Sequence, residues 1–355
     1  MLQEVVTLFV TPQQFGAVAD GIADDSEALQ KAVDSGFDVY IPTGHKETYR
    51  ITKTIRINRR GCKRFISDAF YSRDDTGCII ADFTEQEDPE RTPLFDLHVC
   101  GITFGGIRFI SQTVDGDKAG ILFKATDEDI CDYDIRVDHC GISAFYRVAD
   151  MQGRGLEFLN SQISRCQFFI NLYWDDEFDT NENHPPEYDQ RAIAVKNCRL
   201  HHIQSRFLDV KSGHAYGLHF HGNTIDNGSG FLLRSYEQAW GWNITGNVIQ
   251  GVKGNFDFMD FRQGMLNCVI SGNTFLADKG YWIDTTTTVR SWLKCGGNTV
   301  GSVINNNVFK NSGRFFLSFN NIDTCAVNGN VFHNVSGEPI IINGTEKGCQ
   351  FVGNA

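Results

Sequence analysis

The sequence predicts an all-β fold, a right-handed single-stranded parallel β-helix in which each coil contributes short strands to several parallel sheets. Two observations carry this prediction. A four-residue pattern, here called the rung signature, recurs at near-constant spacing through the last two-thirds of the chain. It begins with an apolar residue and ends in Cys or Asn, and another apolar residue follows it at a fixed place. The N-terminal segment has a different, helical pattern.

Each rung signature ends in a Cys or Asn marker. An apolar residue stands three positions before every marker, and a second apolar residue follows two positions after the marker wherever the chain continues. Six of the eight intervals between markers fall between 23 and 26 residues, whereas a propeller blade needs about 40. The marker asparagines are expected to hydrogen-bond along the helix axis. The markers are Cys140, Cys166, Cys198, Asn223, Asn247, Asn273, Asn307, Asn330 and Asn354.

A third strand is predicted in each coil, five to nine residues after the marker. Strict alternation along this strand would point its first and third residues inward and its second and fourth residues outward. The strands predicted in this way include residues 172–175, 207–210, 231–234, 256–259 and 281–284.

The first 60 residues are predicted to cap the β-helix, which then occupies residues 61–355 with clear rungs from about residue 137. Asp24, Asp25 and Ser26 offer an N-cap, and Gly36 is placed to end the helix. Four apolar residues share one helical face and can cover the open end of the sheets. They are Ala28, Leu29, Ala32 and Val33.

Charge and hydropathy exclude several function classes. The chain has 32 Lys and Arg against 44 Asp and Glu, so its net charge of −12 argues against a nucleic-acid or anionic-membrane partner. It has neither a membrane-spanning apolar run nor a signal peptide at its start. The eleven cysteines show no paired zinc-type spacing, and we expect them to be reduced and mostly buried.

The residues at the start of the chain resemble a known family. Residues 14–33, which begin Gln-Phe-Gly-Ala-Val-Ala-Asp-Gly, together with residues 39–44 and 49–52, are similar to the N-terminal segment of the pectate-lyase-like superfamily, in the version found in phage tailspikes and capsule depolymerases. The close resemblance covers about the first 57 residues. It implies a homotrimer on a virion tail that is folded in the host cytoplasm and acts outside the cell on a bacterial O-antigen or capsule.

Two expanded intervals suggest where a polymer binds. The excess residues, 175–189 and 285–297, are both expected to follow the third strand and to emerge on the same side of the helix. Between them lie three compact coils, which would form the floor of a groove.

The acidic residues of this floor are the catalytic candidates. Glycoside hydrolysis requires two carboxyl groups, one as acid and the other as base or nucleophile. The spacing Asp257-Phe-Met-Asp260, with Glu237 one coil earlier, resembles the acidic cluster of the tailspike endoglycosidases. The offset between Glu237 and the pair favours an inverting hydrolase, with Asp209 as reserve partner. The predicted substrate-binding residues are Asp209, Arg234, Trp240, Arg262, Asp284, Trp292 and Trp174.

Other readings of the same residues remain open. A lyase of this fold would use Arg or His to abstract a proton beside a uronate carboxylate, and a non-catalytic adhesin or fibre would only bind. An acidic groove would repel a polyanion, which favours a neutral glycan and hydrolysis. We predict no metal and no cofactor, because His219 and His221 fall on a different strand from the carboxylates, and His214 offers only part of a known motif.

Overall fold

The computed structural model describes most of the chain in segments. These are residues 9–42, 47–58, 60–67, 78–112, 118–126, 132–172, 190–210, 215–226, 231–252, 257–277, 290–312, 316–335 and 338–355.

The described residues wind into three parallel sheets, here called A, B and C, which have 12, 12 and 16 strands. Sheet A contains Phe9–Val10, Asp38–Ile41, Arg64–Ser67, Ile102–Gly105, Asp132–Asp138, Arg154–Leu159, Ile193–Lys196, His219–His221, Asn243–Thr245, Val269–Ser271, Val303–Asn305 and Ala326–Asn328. Sheet B contains Asp20–Asp24, Thr48–Ile51, Cys78–Ala81, Arg108–Ser111, Gly141–Ser143, Gln162–Ser164, Arg199–His201, Thr224–Asp226, Val248–Gln250, Thr274–Leu276, Val308–Ser312 and Val331–Val335.

Sheet C has two parts. Its main strands are Ile55–Asn58, Pro93–His98, Ala119–Ala125, Phe145–Met151, Phe168–Leu172, Arg206–Val210, Phe231–Ser235, Asp257–Phe261, Ser291–Val300, Leu317–Asp323 and Ile340–Ile342. The second part consists of short strands, here called return strands, which follow the main strands in the chain and precede the next strand of sheet A. They are Gln190–Arg191, Ala215–Tyr216, Ala239–Trp240, Met265–Leu266 and Glu346–Lys347, and the ends of Ser291–Val300 and Leu317–Asp323 continue the same row.

Successive coils pair in parallel within each sheet, so the predicted parallel β-helix is confirmed. In sheet A, Phe220 pairs with Ile244, and in sheet B, Ile225 pairs with Ile249, which are the two apolar ladders predicted around the markers. The interior between the sheets is filled by stacked aromatic rings. Phe275 and Phe309, for example, stack with ring centroids 4.8 Å apart.

The marker asparagines form a continuous hydrogen-bonded ladder, as predicted. The side-chain amide of Asn223 donates to the Oδ1 atom of Asn247 at 3.0 Å, and that of Asn247 donates to Asn273 at 2.9 Å. The same bonds continue through Asn307 and Asn330 to Asn354. Every coil from Asn223 onward is therefore tied to the next one by a buried amide.

One marker was assigned wrongly. Phe158 pairs with Val195, so the residue at the marker position of that coil is Ser161, and Cys166 lies at the following corner. The Ser161 hydroxyl accepts the backbone N–H of Cys140 at 3.0 Å, just as an asparagine carbonyl does in later coils. The error arose because a serine and a cysteine both fit a small buried corner.

The cysteines that the structure describes are thiols rather than disulfides, and most are buried. Burial raises the pKa of Cys140, Cys166 and Cys198 to about 12, which leaves these thiols protonated. They are structural residues rather than nucleophiles.

The predicted N-terminal helix is confirmed as Ser26–Asp34, with Asp25 as its N-cap residue and its apolar face buried. Asp25 uses its carboxylate differently from a usual N-cap, because its two oxygens accept the backbone N–H groups of Val18 and Ala19. Strands within residues 38–58 already belong to the three sheets. The first coils therefore lie inside the segment predicted as a cap, and the boundary at residue 60 moves toward the N-terminus.

Two expectations about the third strand are wrong. In the coil after Asn273, the strand that pairs with Asp257–Phe261 is Ser291–Val300 rather than residues 281–284. In the coil that carries Ser161, the strand that pairs with Arg206–Val210 is Phe168–Leu172 rather than residues 172–175. Residues 173–175 and 281–284 lie outside the described residues.

The two insertions consequently leave the helix at different edges of sheet C. One joins Leu172 to the return strand Gln190–Arg191, after the sheet C strand. The other joins Ala277 to Ser291, before the sheet C strand. The prediction that both insertions follow the third strand is therefore wrong for the second one, while residues 173–189 and 278–289 themselves lie outside the described residues.

Candidate functional site

The strands of sheet C bend, and the bend makes their outer face concave. Arg147 Nη1 lies 2.9 Å from Asp150 Oδ2, and Arg206 contacts Asp209 in the same way. In a straight strand, residues three apart stand about 10 Å from each other and point to opposite faces. Here the two residues between them, such as Phe207 and Leu208, are both buried.

This bend contradicts the predicted strict alternation and creates a groove, here called the furrow, between two rows of outward side chains. The row before the bend contains Arg147, Phe168 and Arg206, and later Asp257 and Ser291. The row after the bend contains Asp96, Lys124, Asp150, Asn171, Asp209, Arg234, Asp260, Lys294 and Ser318.

Asp209 is held by two arginines. Arg234 donates to both of its oxygens, with Nε–Oδ1 and Nη2–Oδ2 distances of 2.8 Å, and Arg206 binds Oδ2 as well. Burial alone would lower the pKa of Arg234, but its bonds to Asp209 outweigh this effect and raise the pKa. Both oxygens of Asp209 are thus used within the protein, and its structural role is to position Arg234.

Two arginines flank the ring of Tyr236 at the end of the furrow. The guanidinium carbon of Arg234 lies 4.7 Å from the ring centroid, and that of Arg262 lies 4.1 Å from it. Arg262 precedes a tight turn at Gly264, where φ is +85° and an added Cβ would stand 2.1 Å from the Asn298 carbonyl oxygen. The turn that presents Arg262 therefore requires glycine.

Asp257 and Asp260 both lie on the furrow floor, and each is less than a tenth exposed. The Ser291 hydroxyl donates to Asp257 Oδ1 at 2.7 Å, and Lys294 Nζ lies 3.4 Å from Asp257 Oδ2. Asp260 has Arg262 Nε at 3.5 Å. Unlike Asp209, these two acids have loose contacts with their cations, longer than the usual charge-assisted bond.

Glu237 lies at the rim of the furrow, in the turn between sheet C and the return strand, and is exposed. Its carbonyl accepts the Ser235 hydroxyl at 2.7 Å, and no side chain within the described segments bonds to its carboxylate. Ser235 pairs with Phe261, so Glu237 is level with the end of the strand that carries both aspartates. Asp260 is therefore the nearer partner, because Asp257 lies three residues further along the strand, about 10 Å away.

A second surface adjoins the furrow on the row of return strands. Tyr216 pairs with Trp240, and their rings meet edge to face with centroids 4.9 Å apart. Trp240 Nε1 donates to Gln238 Oε1 at 2.9 Å, which leaves a partly exposed ring with its polar group satisfied. Further along the row is an open depression of about 510 Å³. Its lining includes Asn298, Val300, Asn321, Asp323, Thr345 and Lys347.

The prediction that Trp292 contacts sugar is wrong. Trp292 is fully buried, and its ring packs against Phe258 at 5.1 Å and Phe275 at 5.4 Å between centroids. It follows Ser291 at the bend, where the side chain points into the core. Asp284 and Trp174, which were also predicted to bind substrate, lie outside the described residues.

The histidines and the furrow belong to different sheets, as predicted. His219 and His221 are exposed on a strand of sheet A. The described segments contain no cluster of three or more His, Cys, Asp or Glu side chains arranged to hold a metal ion. They also contain no helix that is both long and apolar enough to cross a bilayer.

Several furrow residues were not found from the sequence. Arg147, Asp150, Arg206, Arg290 and Lys294 were missed because the bend was not anticipated. The sequence did contain a usable signal. In successive coils, the residue three places after each position of the row before the bend is polar. Asp150, Asn171, Asp209, Arg234 and Asp260 show this pattern.

The fold and the furrow define a parallel β-helix with a charged groove along one sheet, and no family model matches the sequence. Over 57 residues the chain is 39% identical to the pre-neck appendage protein of Bacillus phage B103 and 35% identical to that of Bacillus phage phi29. Each match covers 16% of this chain and 6% of the relative. The chain thus matches only a small part of the length of these curated relatives.

These sequence matches confirm the predicted resemblance to phage tail β-helix proteins. Solved structures with a similar fold include phage tailspikes. The N-terminal fragment of bacteriophage Phi29 gene product 12 shares 13% identity at a TM-score of 0.48, covering 97% of this chain and 71% of that one. The phiAB6 tailspike, solved with oligosaccharides of an Acinetobacter baumannii surface polysaccharide, shares 16% identity at a TM-score of 0.49, covering 94% and 48%. The catalytic unit of an α-1,3-glucanase from Streptomyces thermodiastaticus shares 12% sequence identity at a TM-score of 0.44, covering 98% of this chain and 68% of that one.

Proposed function

We propose that this chain is the glycan-binding β-helix of a phage tail protein and that it hydrolyses a bacterial surface polysaccharide, either an O-antigen or a capsule. The observation that carries the proposal is that Asp260 is buried on the furrow floor, while Glu237 is exposed in the turn of the preceding coil, two residues after the Ser235 that pairs with Phe261. A linear polymer fits a groove that runs along the helix axis. Two carboxyl groups on its wall and floor are what glycosidic cleavage requires.

The proposed mechanism is an inverting displacement. The expected separation exceeds the range of retaining enzymes, because Glu237 stands one coil, about 4.8 Å, from Asp260 and is also offset from it along the chain by three residues. Retaining enzymes place their two carboxyls about 5–5.5 Å apart, whereas inverting enzymes use longer separations that leave room for the attacking water. One carboxyl protonates the leaving oxygen while the other activates the water. Arg234 and Tyr236 then form the fixed wall of the site.

A lyase is the second candidate, and one feature favours it. Arg262, Arg290 and Lys294 stand beside the buried aspartates, and cations of this kind neutralise a uronate carboxylate and assist removal of the adjacent proton. Both candidates act on a polymer in the same furrow and differ in their products.

The experiment is to incubate the purified protein with capsule and O-antigen polysaccharides and to analyse the products by mass spectrometry. Hydrolysis adds one water per cleaved bond, whereas a lyase leaves unsaturated ends. Release of shorter oligosaccharides that carry the added water is the expected result. Binding without any cleavage across a broad panel would contradict the enzyme and support an adhesin.

The resemblance to tailspikes also suggests the assembly and the location. We propose a homotrimer on the virion tail that meets its glycan outside the host cell. The described surface offers a stripe for such contacts on sheet B, where Val248, Val308 and Val331 are each more than a third exposed.

A further inference from the structure

We propose that the glycan bound in the furrow is anionic and carries carboxylate groups of the uronic-acid type. This inference rests on the proposed function and names the substrate class of the same site. It replaces the expectation of a neutral glycan, which was based on the net charge of −12 of the whole chain.

Apart from Glu237 at the rim, the accessible charges beside Asp257 and Asp260 in the second half of the furrow are positive. The side chains of Arg262, Arg290 and Lys294 are 47%, 43% and 43% exposed. Their acidic partners, Asp260 and Asp257, are only 9% and 5% exposed. A ligand that enters the furrow therefore meets the cations first, and the acids lie beneath them.

Two of these cations have only long contacts with their aspartates. Lys294 Nζ is 3.4 Å from Asp257 Oδ2, and Arg262 Nε is 3.5 Å from Asp260 Oδ2 while its guanidinium stacks on Tyr236. A charge-assisted hydrogen bond is normally about 2.7–2.9 Å long. The contrast is with Arg234, which binds Asp209 at 2.8 Å and is only 6% exposed. Lys294 and Arg262 thus have exposed donors to offer a carboxylate on the glycan, whereas the donors of Arg234 are used within the protein.

The buried aspartates orient these cations rather than cancel them. Desolvated charges interact more strongly than exposed ones, so each aspartate keeps its partner pointing over the furrow. A glycan carboxylate can then join the exposed side of the guanidinium or ammonium group without displacing the buried acid. Guanidinium groups suit this role because they bind carboxylates through two parallel hydrogen bonds.

The test compares an acidic polysaccharide with its own carboxyl-reduced form. The panel contains bacterial surface polysaccharides of known composition, with and without uronic acids, and binding is measured by calorimetry on the Glu237→Gln variant to prevent turnover. We expect binding only among the acidic polymers, and at least about tenfold weaker binding after carboxyl reduction. Binding should also weaken as salt concentration rises.

Matched variants locate the effect. Lys294→Gln and Arg262→Gln should each weaken binding of the acidic polymer several-fold, and Lys294→Arg should restore it. The control is Arg199→Gln, which removes an arginine that is 64% exposed and 3.5 Å from Asp226 on sheet B. It should leave binding unchanged.

The outcomes separate this inference from the proposed function. Cleavage of a neutral polysaccharide, or equal binding of the carboxyl-reduced polymer, overturns the anionic substrate while leaving the enzyme intact. Binding of an acidic polymer without cleavage, sensitive to Lys294→Gln, supports the substrate class and contradicts the hydrolase. Equal losses in the furrow variants and in Arg199→Gln would mean that net charge alone drives binding, which also overturns the proposal.

Discussion

Asp209, Asp260 and Glu237 differ in what holds them, and this difference separates a structural acid from the two proposed catalytic ones. Asp209 is bonded to two arginines, whereas Asp260 has one loose contact and Glu237 is exposed at the rim. Asp209→Asn is therefore expected to act on stability. It should lower the free energy of unfolding by about 3 kcal/mol, because the buried Arg234 loses its charged partner. Chemical denaturation would measure this loss.

Replacing the proposed catalytic pair should act on turnover instead. Glu237→Gln and Asp260→Asn are each expected to reduce the turnover rate at least about 100-fold with little change in glycan binding. Asp257→Asn should have a smaller effect, since Asp257 lies further from Glu237 along the strand.

Rates are measured by the release of reducing ends from the identified glycan. Asp226→Asn, on the outer face of sheet B, is the matched control and should keep full activity. Near-full activity in both Glu237→Gln and Asp260→Asn would show that the site is assigned wrongly.

The two tryptophans Trp240 and Trp292 should separate binding from stability. Trp240→Ala should weaken glycan binding by roughly 1 kcal/mol, because its partly exposed ring is placed to stack on sugar, and should change stability little. Trp292→Ala should instead lower the free energy of unfolding by about 3–5 kcal/mol, since it empties a space in the core. Calorimetry measures glycan binding and thermal melting measures stability, and both are carried out on each variant. Equal stability losses would argue against an exposed role for Trp240.

At the scale of the elements, the asparagine ladder joins neighbouring coils through buried polar atoms. Asn247→Ala would remove the acceptor of the Asn223 backbone N–H and side-chain amide, and the donor to the Phe220 carbonyl. Leaving these groups unpaired should cost about 3 kcal/mol of unfolding free energy, a typical sum for buried donors and acceptors. The exposed Asn58 on a sheet C strand is the control, and Asn58→Ala should change stability by less than about 0.5 kcal/mol. Equal effects would remove the ladder as a source of stability.

The ladder was also the part of the fold most readily predicted from the sequence. A buried asparagine amide needs partners above and below, so the same residue recurs at the same corner from Asn223 to Asn354. The prediction failed where another small residue meets the same need, as Ser161 does. The separate prediction of a third strand at residues 281–284 failed because their apolar alternation is that of a strand, whereas Ser291–Val300 is the strand that pairs with Asp257–Phe261.

The furrow was predicted only in part, because the bend of sheet C shows in the sequence only when several coils are aligned in their true register. Glu237, Asp260, Arg234 and Arg262 were proposed from charge and from resemblance, which do not depend on the bend, and their roles stay predictions. Trp292 was misplaced because strict alternation does not hold where two consecutive side chains point inward. The pairing of residues three apart, as in Arg206 and Asp209, became visible only in the folded chain.

At the scale of the whole molecule, assembly is the open prediction. A homotrimer should bury the exposed valine stripe of sheet B, so Val308→Lys should shift the protein toward monomer. Light scattering coupled to size-exclusion chromatography measures the mass. Lys310→Gln, on a neighbouring position of the same strand, is the control for altered charge. A monodisperse monomer of the unaltered protein at high concentration would contradict the trimer.

The backbone of the furrow repeats at every coil, but its side chains do not. Parallel strands place equivalent positions at a regular spacing of about 4.8 Å along the axis. The row after the bend reads Asp150, Asn171, Asp209, Arg234, Asp260 and Lys294, and no two neighbouring coils present the same residue. A repeating polymer that is shifted along the furrow by one coil therefore meets a different set of side chains. For the proposed polysaccharide substrate, we expect one alignment of the repeat unit to fit these charges best, so that the furrow would determine which bond of the repeat is cut.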